Sequence, residues 1–225
     1  MLLLFYAIVY GAGVLIGPHR RLASAIPSTL LLAAVMLLAT VLCVRRDPAW
    51  RTSLGLGPFR LGRIATWSLC GFVGAYALNI AVSALYLSVS GGLETIAQSR
   101  IAQFGSLADL PLGVIGPLVI FVACWEETVF RGFLLGRLRA SLPGTAQGAR
   151  WRRDGVAVLL TAVFFGLGHA YQGPLGIVQT TAAGIALGAL ATWRQSIWPA
   201  IGAHLLIDGF GLLMLKALQH AFPAL

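Results

Sequence analysis

Long apolar stretches separated by short polar connections make up most of this chain. A helix needs about 20 apolar residues to cross the hydrocarbon core of a bilayer, and seven stretches approach that length. The pattern therefore predicts an all-α fold, a polytopic membrane bundle of about seven transmembrane helices, with eight as the alternative count. The predicted spans are residues 1–16, 28–44, 64–88, 112–138, 156–170, 175–193 and 197–218.

The connections between these spans differ in character. Residues 45–63 mix tryptophan, leucine and phenylalanine with arginine, a pattern typical of an amphipathic segment at the membrane interface. Residues 91–109 are predicted to be a mildly polar connection, and residues 139–154 a second basic loop. Gly173 and Pro174 indicate a tight turn before the sixth span.

Composition supports a membrane protein. Hydrophobic residues make up 58% of the chain and charged residues 10%, whereas soluble domains contain about 25% charged residues. We therefore interpret residues 1–225 as a single integral membrane domain surrounded by the lipid bilayer. The net charge of +9 does not indicate nucleic acid as a partner, because basic residues in membrane proteins mark cytoplasmic loops.

The distribution of arginine predicts the orientation and source of the chain. Five arginines lie in residues 45–63 and five in residues 137–153. The positive-inside bias places these loops and the N-terminus in the cytoplasm. Arginine greatly outnumbers lysine, and the chain is also rich in alanine, glycine and leucine. This composition fits a GC-rich bacterial genome, and therefore the bacterial inner membrane.

Three charged residues interrupt the fourth span. Glu126, Glu127 and Arg131 lie in an otherwise apolar run, and a charge near the bilayer centre costs about 2.5–3.5 kcal/mol on insertion scales. Glu127 and Arg131 are four apart, which favours a helical ion pair. Glu126 is rotated by about 100° from Glu127 in an α-helix. We therefore expect Glu127 and Arg131 to hold the site together and Glu126, pointing elsewhere, to act.

Two later spans add His169, His204 and Asp208. His204 and Asp208 are four apart, so both can face one cavity from one helix. One interpretation is purely structural: the residues form a set of buried ion pairs that fixes helix packing. Six ionisable residues on three spans favour function instead, because a buried carboxylate beside an imidazole can act as a general base toward water.

Three motifs contain these residues: EETVFR at 126–131, FGLGH at 165–169 and HLLID at 204–208. They match EExxxR, FxxxH and HxxxN/D, in this order and on separate apolar segments. The chain thereby resembles the CAAX protease and bacteriocin-processing (CPBP, Abi) family of intramembrane glutamic proteases, which includes type II CAAX prenyl endopeptidases. Residues 111–225 would form the catalytic core, and residues 1–110 would be N-terminal helices without matched motifs.

The resemblance implies a hydrolase acting on peptide bonds of a peptide or membrane protein, prenylated or not. Glu126 and His169 would activate a water, and His204 and Asp208 would stabilise the oxyanion. Glu127, Arg131 and Phe165 would support them. Eukaryotic CAAX enzymes have Asn where this chain has Asp208, and a carboxyl group donates a hydrogen bond only when protonated. Asp208 is therefore expected either to be protonated or to orient His204.

Other chemistries find less support in the sequence. The chain has no HExxH, GxSxG or GxGD motif of the other intramembrane protease classes. We expect no cofactor, although Glu126, His169 and His204 could also bind zinc. Non-catalytic alternatives are an immunity or scaffold protein and a proton-relay transporter, although the chain lacks the visible repeat of many transporters.

Overall fold

The structure, a computed structural model, describes residues 26–90, 92–143 and 147–221. The predicted span at residues 1–16 lies outside the described residues. In the first part of the described chain, apolar runs form long helices and the basic segment forms one short helix. These helices are α1 (Ile26–Val44), α2 (Trp50–Ser53), α3 (Leu61–Ser90) and α4 (Leu93–Ala108).

The second part of the described chain contains four more helices. Helix α5 (Leu112–Ser141) is continuous but changes its winding to a π-helix at Glu127–Leu134. A single 3₁₀ turn, Ala170–Gln172, lies between the next two helices. These are α6 (Gln147–Gly168), α7 (Gly173–Arg194) and α8 (Trp198–Ala221).

The described residues contain four helices long and apolar enough to cross a membrane: α3, α5, the segment Ala170–Arg194 that includes α7, and α8. The apolar part of helix α1, Leu30–Val44, is shorter than these four. The all-helical integral membrane fold is thus confirmed for the described residues. The count of seven or eight spans stays a prediction.

Two predicted connections are more helical than expected. Residues 91–109, predicted as a mildly polar connection, consist largely of helix α4, a helix that the prediction did not include. Glu94 lies in the first turn of α4, and the apolar residues Ile101, Phe104 and Leu107 recur at helical spacing. The predicted basic loop 139–154 is also mostly helical, because α5 continues to Ser141 and α6 begins at Gln147.

The basic segment 45–63 is only partly an interfacial segment. Trp50 and Phe59 are exposed, as expected at an interface. Leu54, however, is buried against Val44 and Phe133. The side chain of Leu54 therefore packs into the helix bundle and holds the segment against it.

Close helix packing positions the later spans. Helix α6 packs along α7, and α3 packs against both α7 and α8. A Cβ atom at Gly184 would lie 3.1 Å from the Cα atom of Ala162, and one at Gly166 would lie 1.9 Å from Thr181 Oγ1. Small residues let membrane helices approach this closely, and the contact fixes the end of α6 that precedes His169.

Gly166→Ala is expected to destabilise the protein by about 1–3 kcal/mol, because the added methyl group overpacks the α6–α7 contact. Its Cβ would also lie 2.7 Å from the Ile177 carbonyl oxygen, which is backbone. Gly155→Ala on the same helix is the matched control, since a Cβ there meets nothing within 4 Å. Thermal unfolding in detergent measures both; equal midpoints for the two variants would contradict the packing argument.

Asp154 joins the ends of α5 and α6. Its Oδ1 accepts a hydrogen bond from Arg139 Nε at 2.9 Å and its Oδ2 one from Arg139 Nη2 at 3.0 Å. Arg153 Nε also donates to Oδ1 at 2.9 Å. Burial by itself raises the pKa of Asp154, but the hydrogen bonds from the two arginines outweigh it and hold the pKa below the ordinary value of 3.8.

Asp154→Asn is expected to lower the free energy of unfolding by about 0.5–1 kcal/mol near neutral pH and low salt, because the ion pairs are partly exposed. A lowered folded-state pKa gives stability that is present above the unfolded value and lost as the pH falls through the folded value. Wild type and variant should therefore converge in unfolding midpoint at strongly acidic pH. Asp109→Asn, at an exposed position, is the control; a difference that persists in acid would contradict the assignment.

Candidate active site

The two adjacent glutamates lie where helix α5 changes its winding. Glu126 is the last residue of the α-helical part, and Glu127 is the first of the π-helical stretch Glu127–Leu134. π-Helical turns are rare in proteins overall, and those that occur often lie at functional sites. Within the stretch, Val129, Phe130 and Leu134 are buried against α1 and Phe165, so packing on several sides holds the altered winding in place.

Glu127 is the centre of the polar cluster. Its side chain is fully buried, and its Oε1 accepts a hydrogen bond from Arg131 Nη1 at 2.8 Å. The same oxygen lies 2.8 Å from Nδ1 of His204. Since a carboxylate oxygen accepts, the Nδ1–H of His204 donates to it. Glu127 thus accepts two charge-assisted hydrogen bonds, one within α5 from Arg131 and one from His204 that ties α5 to α8.

The other nitrogen of His204 faces two more carboxyl groups. Nε2 lies 3.7 Å from Glu126 Oε2 and 3.7 Å from Asp208 Oδ2. Both distances exceed that of a hydrogen bond, so Nε2 is close to both acids without being bound to either. The cluster contains three acidic groups but two basic ones, Arg131 and His204, and one additional proton would make it neutral.

This geometry corrects one expectation about the glutamates. Glu126 was expected to point away from its neighbour, yet Glu126 and Glu127 approach the same imidazole, one beside each ring nitrogen. The reason is the position of His204 on α8, which places its ring between the two carboxyl groups. The structure also shows that Glu127 makes the hydrogen bond that orients His204.

Exposure increases across the cluster in one direction. The exposed fraction of the side chain is 0% for Glu127 and 2% for Arg131. It is 8% for His204, 10% for Glu126 and 31% for Asp208. Glu127 and Arg131 therefore lie at the closed end, and the site opens on the side of Asp208.

His169 lies between the end of α6 and the 3₁₀ turn. Its Nδ1 is 2.8 Å from the Phe165 carbonyl oxygen, and because a carbonyl only accepts, Nδ1 carries the proton. In the neutral ring Nε2 is then an acceptor. Within the described residues, His169 makes no hydrogen bond or ion pair with Glu126, so the structure does not bring the two expected partners into direct contact.

Phe165 packs between the charged groups and His169. The Arg131 guanidinium lies over its ring, 4.3 Å from the centroid, in the position of a cation–π contact. The ring centroids of Phe165 and His169 are 4.7 Å apart, and His204 approaches from another side at 6.1 Å. The predicted supporting residue thus contacts or borders all three motifs.

Several buried polar atoms of the cluster have no hydrogen-bond partner within the described protein. They include Oε2 of Glu126, Oε2 of Glu127 and Nη2 of Arg131. Buried polar atoms in native proteins are normally hydrogen-bonded.

A metal site receives no geometric support from the described residues. They contain no group of three or more His, Cys, Asp or Glu side chains arranged to hold a metal ion.

Sequence reasoning missed two features of this region. One is the π-helical stretch, for which the apolar pattern gave no signal. The other is Tyr171, whose ring centroid is 5.9 Å from that of His169. A signal for Tyr171 was available, since it follows the FxxxH motif by two positions and precedes the predicted turn at Gly173 and Pro174.

Comparison with known proteins gives one match. Residues 108–210 match the family model described as type II CAAX prenyl endopeptidase Rce1-like. No curated protein matches the chain, and no solved structure matches it. The matched segment contains all three motifs. Residues 108–210, a little under half of the chain, are thus similar to the Rce1-like family of type II CAAX prenyl endopeptidases.

Proposed function

We propose that the protein is an intramembrane glutamate-dependent endopeptidase of the CAAX type. Its substrate is a membrane-associated peptide or protein, prenylated or not, and it works without a metal or other cofactor. We place it in the bacterial inner membrane with a cytoplasmic N-terminus. The main support is the position of Glu126, a buried carboxylate whose Oε2 has no hydrogen-bond partner among the described residues and lies 3.7 Å from Nε2 of His204.

In this proposal Glu126 and His169 hold the attacking water. Glu126 accepts one proton of the water, and Nε2 of His169 accepts a hydrogen bond from the other. This role for His169 is supported by its hydrogen bond to the Phe165 carbonyl, which leaves Nε2 as the acceptor. As Glu126 takes the proton, the water oxygen forms a bond to the carbonyl carbon of the substrate.

His204 and Asp208 then stabilise the charge on the former carbonyl oxygen. Nε2–H of protonated His204 and the protonated carboxyl of Asp208 donate to it. Such donors are worth about 2.7–4 kcal/mol each in other proteases. The 3.7 Å gaps around Nε2 leave this nitrogen uncommitted, while the hydrogen bond to Glu127 fixes the ring.

Collapse of the tetrahedral intermediate completes the reaction. The carbon–nitrogen bond breaks, and Glu126 returns its proton to the departing amine. One water is consumed, and a new carboxyl group and a new amino group are formed. The hydrogen bond from Arg131 holds the Glu127 carboxylate in place, so the orientation of His204 does not change during the cycle.

Glu126→Gln is expected to lower turnover by at least about 10²–10⁴-fold, because an amide cannot accept the proton of the water. Purified proteins in detergent are compared on a prenylated CAAX peptide and a membrane-peptide library, with products read by mass spectrometry. Glu94→Gln, at an exposed glutamate on α4, is the control and should cleave like wild type. Strong chelators should leave wild-type activity unchanged.

Two outcomes would contradict the proposal. Undiminished cleavage by Glu126→Gln would remove the general base from the mechanism. No cleavage by folded wild type on any peptide would favour a binding or proton-relay role for the same cluster.

Asp208→Asn is expected to retain or exceed wild-type turnover, because the amide also donates a hydrogen bond to the oxyanion. Asp208→Ala should lose about 10²-fold or more, since it removes a donor at the oxyanion. Steady-state kcat of the three proteins makes the comparison. A collapse in the Asn variant equal to that in the Ala variant would instead assign Asp208 to the orientation of His204.

A further inference from the structure

Arg100 occupies an unusual position on helix α4. Its side chain is half-buried, and Nη2 donates to Gln179 Oε1 while Nη1 lies 3.5 Å from Gln172 Oε1. Gln179 in turn donates to Ser83 Oγ at 2.8 Å. Two neutral amides from the α7 region therefore hold a cation that lies outside the matched segment 108–210.

Arg100 has no acidic partner within 4.0 Å among the described residues, whereas Arg131 and Arg139 each bind a carboxylate. Burial lowers the pKa of Arg100 below its ordinary value, which reflects the unfavourable desolvation of a cation without a counter-charge. A guanidinium offers five N–H donors, and two parallel ones match a carboxylate. The amides occupy two of these five, so donors remain for an anion.

A short chain of side chains connects Arg100 to the catalytic cluster. Gln172, which accepts from Arg100, donates to the Tyr171 hydroxyl at 3.2 Å. The Tyr171 ring lies 5.9 Å from His169, and its hydroxyl interacts electrostatically with Arg100, Glu126 and Asp208. Arg100 therefore lies beside the part of the cluster that is open at Asp208.

We propose that Arg100, Gln172 and Gln179 form a subsite for the free C-terminal carboxylate of the substrate. This inference rests on the proposed peptidase function. With the carboxylate bound at Arg100, an extended peptide that follows Gln172 and Tyr171 toward His169 brings one of its upstream peptide bonds to Glu126. The subsite thereby directs cleavage to the C-terminal end of the substrate.

The test uses one cleaved peptide in two forms, with a free C-terminal carboxylate and with a C-terminal amide. Wild type should prefer the acid by about ten- to a hundredfold in kcat/KM, since hydrogen bonds between charged groups distinguish the two forms. Arg100→Gln should reduce kcat/KM for the acid to that for the amide, chiefly through KM. Arg100→Lys should keep part of the preference, because it retains the charge without the fork.

The matched control is Arg194→Gln. Arg194 lies over Trp67 at the end of α7 and should keep the full preference for the acid. Adding anionic phospholipid to a neutral detergent tests the other source of an anion. Unchanged preference supports a peptide carboxylate, whereas its loss would show that the subsite takes a lipid phosphate and would overturn the inference.

Binding to the Glu126→Gln protein separates this inference from the proposed function. The acid should bind about ten- to a hundredfold more tightly than the amide, and Arg100→Gln in that background should abolish the difference. Normal cleavage by wild type without any acid preference overturns the subsite alone. An acid preference in binding, with no cleavage by wild type, overturns the peptidase function and supports the subsite.

Discussion

The hydrogen bonds to Oε1 of Glu127 are the interaction on which the rest of the site depends. One comes from Arg131 on the same helix and one from His204 on α8, each at 2.8 Å. Because Glu127 is fully buried, removing either donor would leave an uncompensated charge. Breaking a buried charge pair typically costs about 3–5 kcal/mol. That cost is a large share of a protein's total stability. The three residues therefore constrain one another, and this fixes the imidazole relative to Glu126.

Packing of apolar helices makes this polar arrangement specific. The π-helical stretch Glu127–Leu134 is buried against α1 and α6, and Phe165 lies between the Arg131 guanidinium and the His169 ring. In a membrane, association of helices depends on close contacts and interhelical hydrogen bonds because lipid is as apolar as the core. The close approach at Gly166 and the bonds at Glu127 thus act together to align α5, α6 and α8.

The active and supporting parts of the cluster differ in exposure. Glu127 and Arg131 are closed off, whereas Glu126 and Asp208 lie toward the open side. The buried ion pair of Glu127 and Arg131 keeps its geometry. The carboxyl groups of Glu126 and Asp208, which are more accessible, can exchange protons with water or substrate. Arg100 extends the open side with a cation that faces amides in place of acids.

The sequence by itself determined the helical membrane fold, the polar residues within it and the pair Glu127–Arg131, because span length and i,i+4 spacing are local properties. It predicted α4 as a connection although the helical spacing was present. Only the tertiary structure decided that His204 lies between Glu126 and Glu127 and that Arg100 lies near Tyr171. These contacts join segments that are far apart in the chain, so they depend on the rotation and register of the helices. An apolar span that faces both lipid and protein does not encode its rotation or register in its pattern of hydrophobic residues.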